Sequence, residues 1–193
     1  MSSVLSLFHA YCAHAQFANG LTFHALTSTT LSPEHPSIAI RVTAYFDPQY
    51  FAFGGAGLDV AASDLKGVVG EPYLATPLGA CALLVTGMQT MGGREQMGVG
   101  QLGLAGCFPY STNPIDIMNF AYTIDDFTPR TIELTMPRNW GMSFFGDPGQ
   151  FAPNVFISPE NVGLDSITLT IVPAPSTGTL ALGGLVLLSR RRR

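Results

Sequence analysis

Ser37-Ile-Ala-Ile-Arg-Val-Thr-Ala-Tyr-Phe46, SIAIRVTAYF in one-letter form, sets Ile38, Ile40, Val42, Ala44 and Phe46 on one side of an extended chain. Ser37, Arg41, Thr43 and Tyr45 fall on the other side. Alternation with a period of two over this length is the signature of a strand with one buried face. The same pattern recurs at Thr131 to Met136, where Ile132, Leu134 and Met136 oppose Thr131, Glu133 and Thr135. It recurs again at Ser166 to Ile171, where Ile167, Leu169 and Ile171 oppose threonines. Weaker strands are expected at Leu21 to Leu26, Leu58 to Ala62, Gly98 to Leu104, Met118 to Ile124 and Val155 to Ser158.

Proline turns punctuate these runs, at Ser32-Pro33-Glu34-His35-Pro36, Asp47-Pro48, Glu71-Pro72, Asn113-Pro114, Asp147-Pro148-Gly149 and Ser158-Pro159. Short strands so separated predict an all-β, antiparallel β-sandwich, such as a jelly roll. Leu78 to Thr86 is ambiguous and fits a short helix crossing one end of the sandwich. Composition agrees with the fold class. Only 11% of the 193 residues are charged and Lys66 is the single lysine, so the chain lacks the Glu and Lys spacing that solvates surface helices.

The net charge of −4 conceals an asymmetry. Arg190 to Arg193 supply four of the nine basic residues, leaving five against thirteen acidic ones elsewhere. So acidic a body repels phosphate backbones, and no nucleic-acid partner is expected.

Those arginines close the segment VPAPSTGTLALGGLVLLSRRRR, residues 172 to 193. Pro173 and Pro175 hold the chain extended. The uncharged stretch Thr179 to Ser189 would make a helix of roughly 16 Å, short against a hydrocarbon core of roughly 30 Å, and arginines snorkelling at its end would extend it. The tail resembles the PEP-CTERM sorting signal of Gram-negative bacteria. Val172, Pro173, Ala174 and Pro175 stand for its proline motif; Leu180, Leu182, Leu185, Val186, Leu187 and Leu188 for its short membrane helix; and Arg190, Arg191, Arg192 and Arg193 for its basic cluster. Ala174 departs from the family's usual glutamate. The resemblance implies processing by an exosortase-like membrane enzyme, transient insertion of the tail into the inner membrane, and a non-catalytic surface or extracellular-matrix protein associated with exopolysaccharide.

Export also calls for an N-terminal address. Val4 to Ala15 is mostly apolar and ends in Ala13-His14-Ala15, a small-x-small cleavage pattern, although no basic residue precedes it. Residues 1–15 read either as a signal peptide or as an arm or first strand. The expected organisation is then 1–15, a sandwich over 16–171, and a sorting tail over 172–193. If Cys12 is removed, Cys81 and Cys107 remain as a pair suited to a disulfide in an oxidising compartment, or as two buried thiols. The order SPEHPSIAIRVTAYF followed by FAFGGAGLDVAAS is similar to the opening of cohesin-like modules of bacterial surface proteins.

Catalytic motifs are scarce. Gly98-Val99-Gly100-Gln101-Leu102-Gly103 satisfies G-x-G-x-x-G, but no helix can open behind it, so a glycine-rich strand is expected in place of a dinucleotide site. Asp125-Asp126 suits a loop better than an acid/base pair. Asp59 with Asp64 or Asp116 could offer calcium oxygens, without the spacing of a calcium loop. His9, His14, His24 and His35 show no metal-ligand spacing, and His35 reads as an exposed turn residue. Trp140, Tyr45, Tyr50, Phe51 and Phe53 would suit a sugar-binding platform if exposed together, and buried aromatics if not. The competing functions are thus a carbohydrate-binding module and a secreted enzyme with a discontinuous site.

Overall fold

The computed structural model describes residues 17–75, 78, 82–101, 103 and 111–173. The chain forms β1 (Gly20–Ala25), β2 (Thr30–Leu31), β3 (Ser37–Tyr45), β4 (Ala52–Ala62), β5 (Val68–Val69), β6 (Tyr73–Leu74), β7 (Ala82–Val85) and β8 (Met88–Thr90). It continues with β9 (Gly93–Gln101), β10 (Ile115–Thr123), β11 (Arg130–Thr135), β12 (Asn139–Phe145), β13 (Val155–Ile157), β14 (Gly163–Leu164) and β15 (Ile167–Ile171).

Two sheets pack face to face. One runs β14-β1-β3-β10-β5, with β6 also on β10. The other runs β13-β12-β4-β11-β15-β2, with β9 on the free side of β4 and β7 and β8 on β9. The long pairings are antiparallel as expected, but each sheet also carries a two-residue parallel pairing, β1 with β14 and β15 with β2. Chain reversals at the sheet margins bring these short segments back in the same direction, which alternation alone does not reveal.

The side chains that alternate inward on SIAIRVTAYF do enter the core: Ile38, Ile40, Val42, Ala44 and Phe46 are all buried. They meet Leu58, Val60, Ile132, Leu134, Phe144 and Leu169 of the other sheet in one apolar cluster. Burying side chains of this size stabilises by about 1.5–3 kcal/mol each. Phe144 is the hub, stacked on Tyr50 at 4.7 Å and flanked by Phe46 at 5.2 Å and Phe53 at 6.4 Å.

Several expectations are corrected. β4 begins at Ala52, not Leu58, and β9 spans Gly93–Gln101, not Gly98 to Leu104. Ala82–Val85 is a strand on the flank of β9, where a helix had been one reading. β12 had no counterpart among the expected strands, because Gly141 at φ +83° and a register shift between Asn139 and Met142 break its alternation. Residues 1–15, Cys81, Cys107, Ala174, Pro175, the apolar run Leu180 to Leu188 and Arg190 to Arg193 lie outside the described residues, as does the short C-terminal helix expected there. Among the described residues no helix is long and apolar enough to cross a membrane.

Candidate functional site: a glycine-floored groove

Along β4 the inward positions are Ala56, Leu58 and Val60, so Gly55 and Gly57 face outward. On β9 the inward positions are Met97 and Val99, so Gly98 and Gly100 face outward. The register sets Gly55 opposite Gly100 and Gly57 opposite Gly98. Two neighbouring strands therefore present a floor with no side chains.

The walls stand on the strands to either side. Leu83 and Val85 of β7 pair with Gly100 and Gly98, and are 59% and 58% exposed. On the far side Ser143 of β12 pairs with both Gly55 and Phe156 of β13, and Phe156 is 75% exposed. Strands lie about 4.8 Å apart, so Leu83 and Phe156 stand roughly 19 Å apart across the row. The groove, open to solvent above, has a volume of about 730 Å³. It continues past Gln96 into a second depression of about 360 Å³ that shares Gly57, Val85, Gly98 and Trp140. No charged side chain lines either part among the described residues.

Trp140 overhangs the floor. A Cβ on Gly57 would come within 3.0 Å of its indole, and the Arg138 guanidinium lies 4.0 Å from the ring centroid in a cation–π contact. The bulge that turns the indole outward is held by the Asn139 side chain, which accepts the Gly141 N–H at 2.9 Å and donates to the Pro159 carbonyl at 3.2 Å. Opposite it, Gln96 adopts φ +59°, and its N–H donates at 2.7 Å to the buried Asp59 carboxylate. At its Gly57–Gly98 end the floor is thus fixed on both flanks by a bulge and a buried polar side chain.

The four floor glycines differ in a way that decides their meaning. A Cβ on Gly55 would meet the Val99 carbonyl at 2.9 Å, whereas on Gly98 and Gly100 nothing lies closer than 3.5 Å and 3.8 Å. The fold has room for side chains at Gly98 and Gly100. Glycine inside a strand costs about 0.5–1 kcal/mol relative to alanine and commonly marks close approach by a ligand or another backbone.

The remaining expected sites are dispersed. Phe53 is buried, Tyr50 stacks on Phe144, and Tyr45 packs against Gly20 and Gly163, so the five aromatics form no platform and Trp140 alone reaches the groove. Asp59 supports the bulge, Asp116 pairs with Arg41 at 2.8 Å, and Asp64 pairs with Arg130 at 2.5 Å, so the three carboxylates do not converge. Among the described residues no group of three His, Cys, Asp or Glu could hold a metal ion. His35 sits exposed in its turn, His24 contacts Thr22, and Val172 donates its N–H to the Leu31 carbonyl at 2.9 Å while Pro173 is exposed.

No family model matches the chain, and no curated protein matches it in sequence. Solved structures do. A cohesin module of a family 33 glycoside hydrolase from Clostridium perfringens superposes with a TM-score of 0.58, covering 81% of this chain and 98% of the module at 9% identity. The fold is cohesin-like. The seventh type I cohesin of ScaB from Pseudobacteroides cellulosolvens matches at a TM-score of 0.52 and 12% identity, over 82% of this chain and 95% of that one. Within this cohesin-like sandwich the groove occupies the outer face of the larger sheet.

A second polar site lies further along the same sheet. Arg130 donates from Nε and Nη2 to Asp64 Oδ2 at 2.8 Å and 2.5 Å, and Lys66 donates to Asp126 at 2.6 Å. Burial pushes the Asp64 carboxyl up, but the Lys66 N–H and the Arg130 guanidinium outweigh it and leave the group below its usual range. The Lys66 ammonium, then the Thr128 N–H and hydroxyl, hold Asp126 far below that range. Beneath them burial, reinforced by Asp64, pushes the Tyr122 phenol up to about 12, and its hydroxyl finds no hydrogen-bond partner among the described residues. All four charges are satisfied within the cluster, which pins the segment after β4 to the turn before β11.

Proposed function

We propose that this chain is a non-catalytic docking module of an exported surface or matrix protein, and that its groove receives an apolar segment of a second polypeptide. The bare floor at Gly98 and Gly100 carries this reading, because folding does not require it. Side chains from a partner can approach the sheet backbone there between apolar walls. Sugar recognition needs several convergent hydrogen-bonding groups, and the outward polar side chains are few, chiefly Ser143 and Ser158. Titration with an uncharged leucine-rich peptide and with a soluble β-glucan, followed by the emission of Trp140, tests the two. Binding of the peptide alone supports protein docking; binding of the glucan alone overturns it in favour of a carbohydrate module.

We further propose that the tail resembling PEP-CTERM sorts the protein through an exosortase-like enzyme, with exopolysaccharide as its surroundings outside the cell. Val172 and Pro173 being exposed supports access to that site. Mass spectrometry of the protein from cells and from medium should find the end beyond Pro175 lost from the exported form. An exported protein that retains Arg193 overturns the sorting reading.

A further inference from the structure

We infer that the second polypeptide in the groove is another copy of this chain, packed face to face about a twofold axis so that each Phe156 lies on the other copy's glycine floor. This rests on the groove being an apolar docking site, and adds which partner fills it.

Register supplies the fit. Leu83, Gly100, Gly55, Ser143 and Phe156 pair in series, so one wall, the floor and the other wall share a single row across five strands. At about 4.8 Å per strand, Phe156 stands roughly 12 Å from the midline between Gly100 and Gly55. A twofold axis parallel to the strands, between β4 and β12 and roughly 6 Å from each position, exchanges the two. Such an axis leaves height along the strands unchanged, so the exchange works only if the ring and the floor lie in one row. They do. An axis running across the strands would instead set Phe156 on Phe156 and Leu83 on Leu83, leaving both floors bare. In the first arrangement the partner's Phe156 drops between Leu83 and Phe156 of this copy, onto a floor where a Cβ at Gly100 meets nothing closer than 3.8 Å. Trp140, on β12 beside the axis, lies against its own copy as an aromatic pair.

Exposure and charge select the same face. β13 ends its side of the sheet, and the Phe156 ring is 75% exposed there. Without the four terminal arginines, which the sorting proposal removes, the chain carries five basic and thirteen acidic residues. Two such bodies repel each other wherever that acidic excess is displayed. Among the described residues the groove is lined without charge, so this face lets two copies approach. Each then covers the other's largest exposed ring and fills its bare floor, which is the self-complementarity a twofold contact demands.

Sedimentation equilibrium of the full chain over micromolar concentrations tests this, with folding of each variant checked by circular dichroism. The parent should dimerise. Phe156→Ala removes the ring and Gly100→Leu fills the floor. Each contact occurs twice in the pair, so a tenfold loss per contact should weaken the dimer about a hundredfold in either variant. In F156A/G100L the shortened side chain meets the filled floor, and dimerisation should return to within about tenfold of the parent. Positions 100 and 156 of one copy lie about 14 Å apart by register, so this rescue reports a contact between copies. A dimer that either variant leaves unchanged, or losses that simply add in the double variant, overturns the inference. If G100L does not fold, F156A decides alone, because its side chain is exposed. A parent that stays monomeric while its Trp140 emission still responds to the leucine-rich peptide sinks the second copy and keeps apolar docking; a monomer with no response sinks both.

Discussion

The groove lies on the larger sheet and the ion-paired cluster in the loops beside its strands β4 and β11, and they are built from opposite materials. Around Gly55, Gly57, Gly98 and Gly100 the chain places no charge and little side-chain volume. Around Asp64 it places its only lysine together with Arg130 and Asp126. In a protein with so few charges, this partition separates two tasks. The charged end satisfies itself and fastens loops, while the uncharged end leaves apolar walls and a bare backbone face for something else to satisfy.

Substitutions can break that contrast, beginning with the largest effect. Phe144→Ala removes the ring that supports the groove from beneath, and urea unfolding should show a loss of about 3–5 kcal/mol. A loss below about 1 kcal/mol would mean that the floor does not depend on this packing. Gly55→Val drives a side chain against the Val99 carbonyl and should cost about 1–3 kcal/mol by the same measurement. Arg130→Met should cost about 1–2 kcal/mol, since its two hydrogen bonds to Asp64 are well formed but the pair is partly exposed to solvent.

Gly98→Val should have the smallest effect on stability, within about 0.5 kcal/mol of the parent, because its Cβ meets no atom closer than 3.5 Å. The same change should weaken apolar peptide binding at least about tenfold, or 1.4 kcal/mol. If instead it unfolds the protein, the floor is structural and the contrast between the glycines fails.

Acid sharpens the other side. Asp64 and Asp126 are depressed in the folded state, so their contribution is complete above the ordinary carboxylate range and is lost as pH falls through about 4 and below. Asp126→Asn should flatten that part of the pH–stability curve, measured by thermal melting, while leaving groove binding unchanged at neutral pH.

Much of the fold was legible in sequence where one face of a strand is uniformly apolar, as in β3, β11 and β15. It was illegible where backbone geometry breaks the period, as at Trp140-Gly141 in β12. It was also illegible where small residues replace branched ones, as in Ala52 to Gly57 at the start of β4. The groove itself draws on five strands, so no local window contains it. Its only trace in the sequence is two pairs of glycines two apart, Gly55 with Gly57 and Gly98 with Gly100, and the second pair sits inside a motif that first suggests nucleotide binding. Reading that motif as a strand was sound, but sequence alone could not say that its glycines meet another such pair.

The exit of the chain has a mechanical consequence. Tension directed along β15 from beyond Pro173 loads its five-residue ladder with β11, whose hydrogen bonds are perpendicular to such a pull. The rungs bear load together in shear, so tension on the far end grips the last strand in place and does not peel it away one bond at a time.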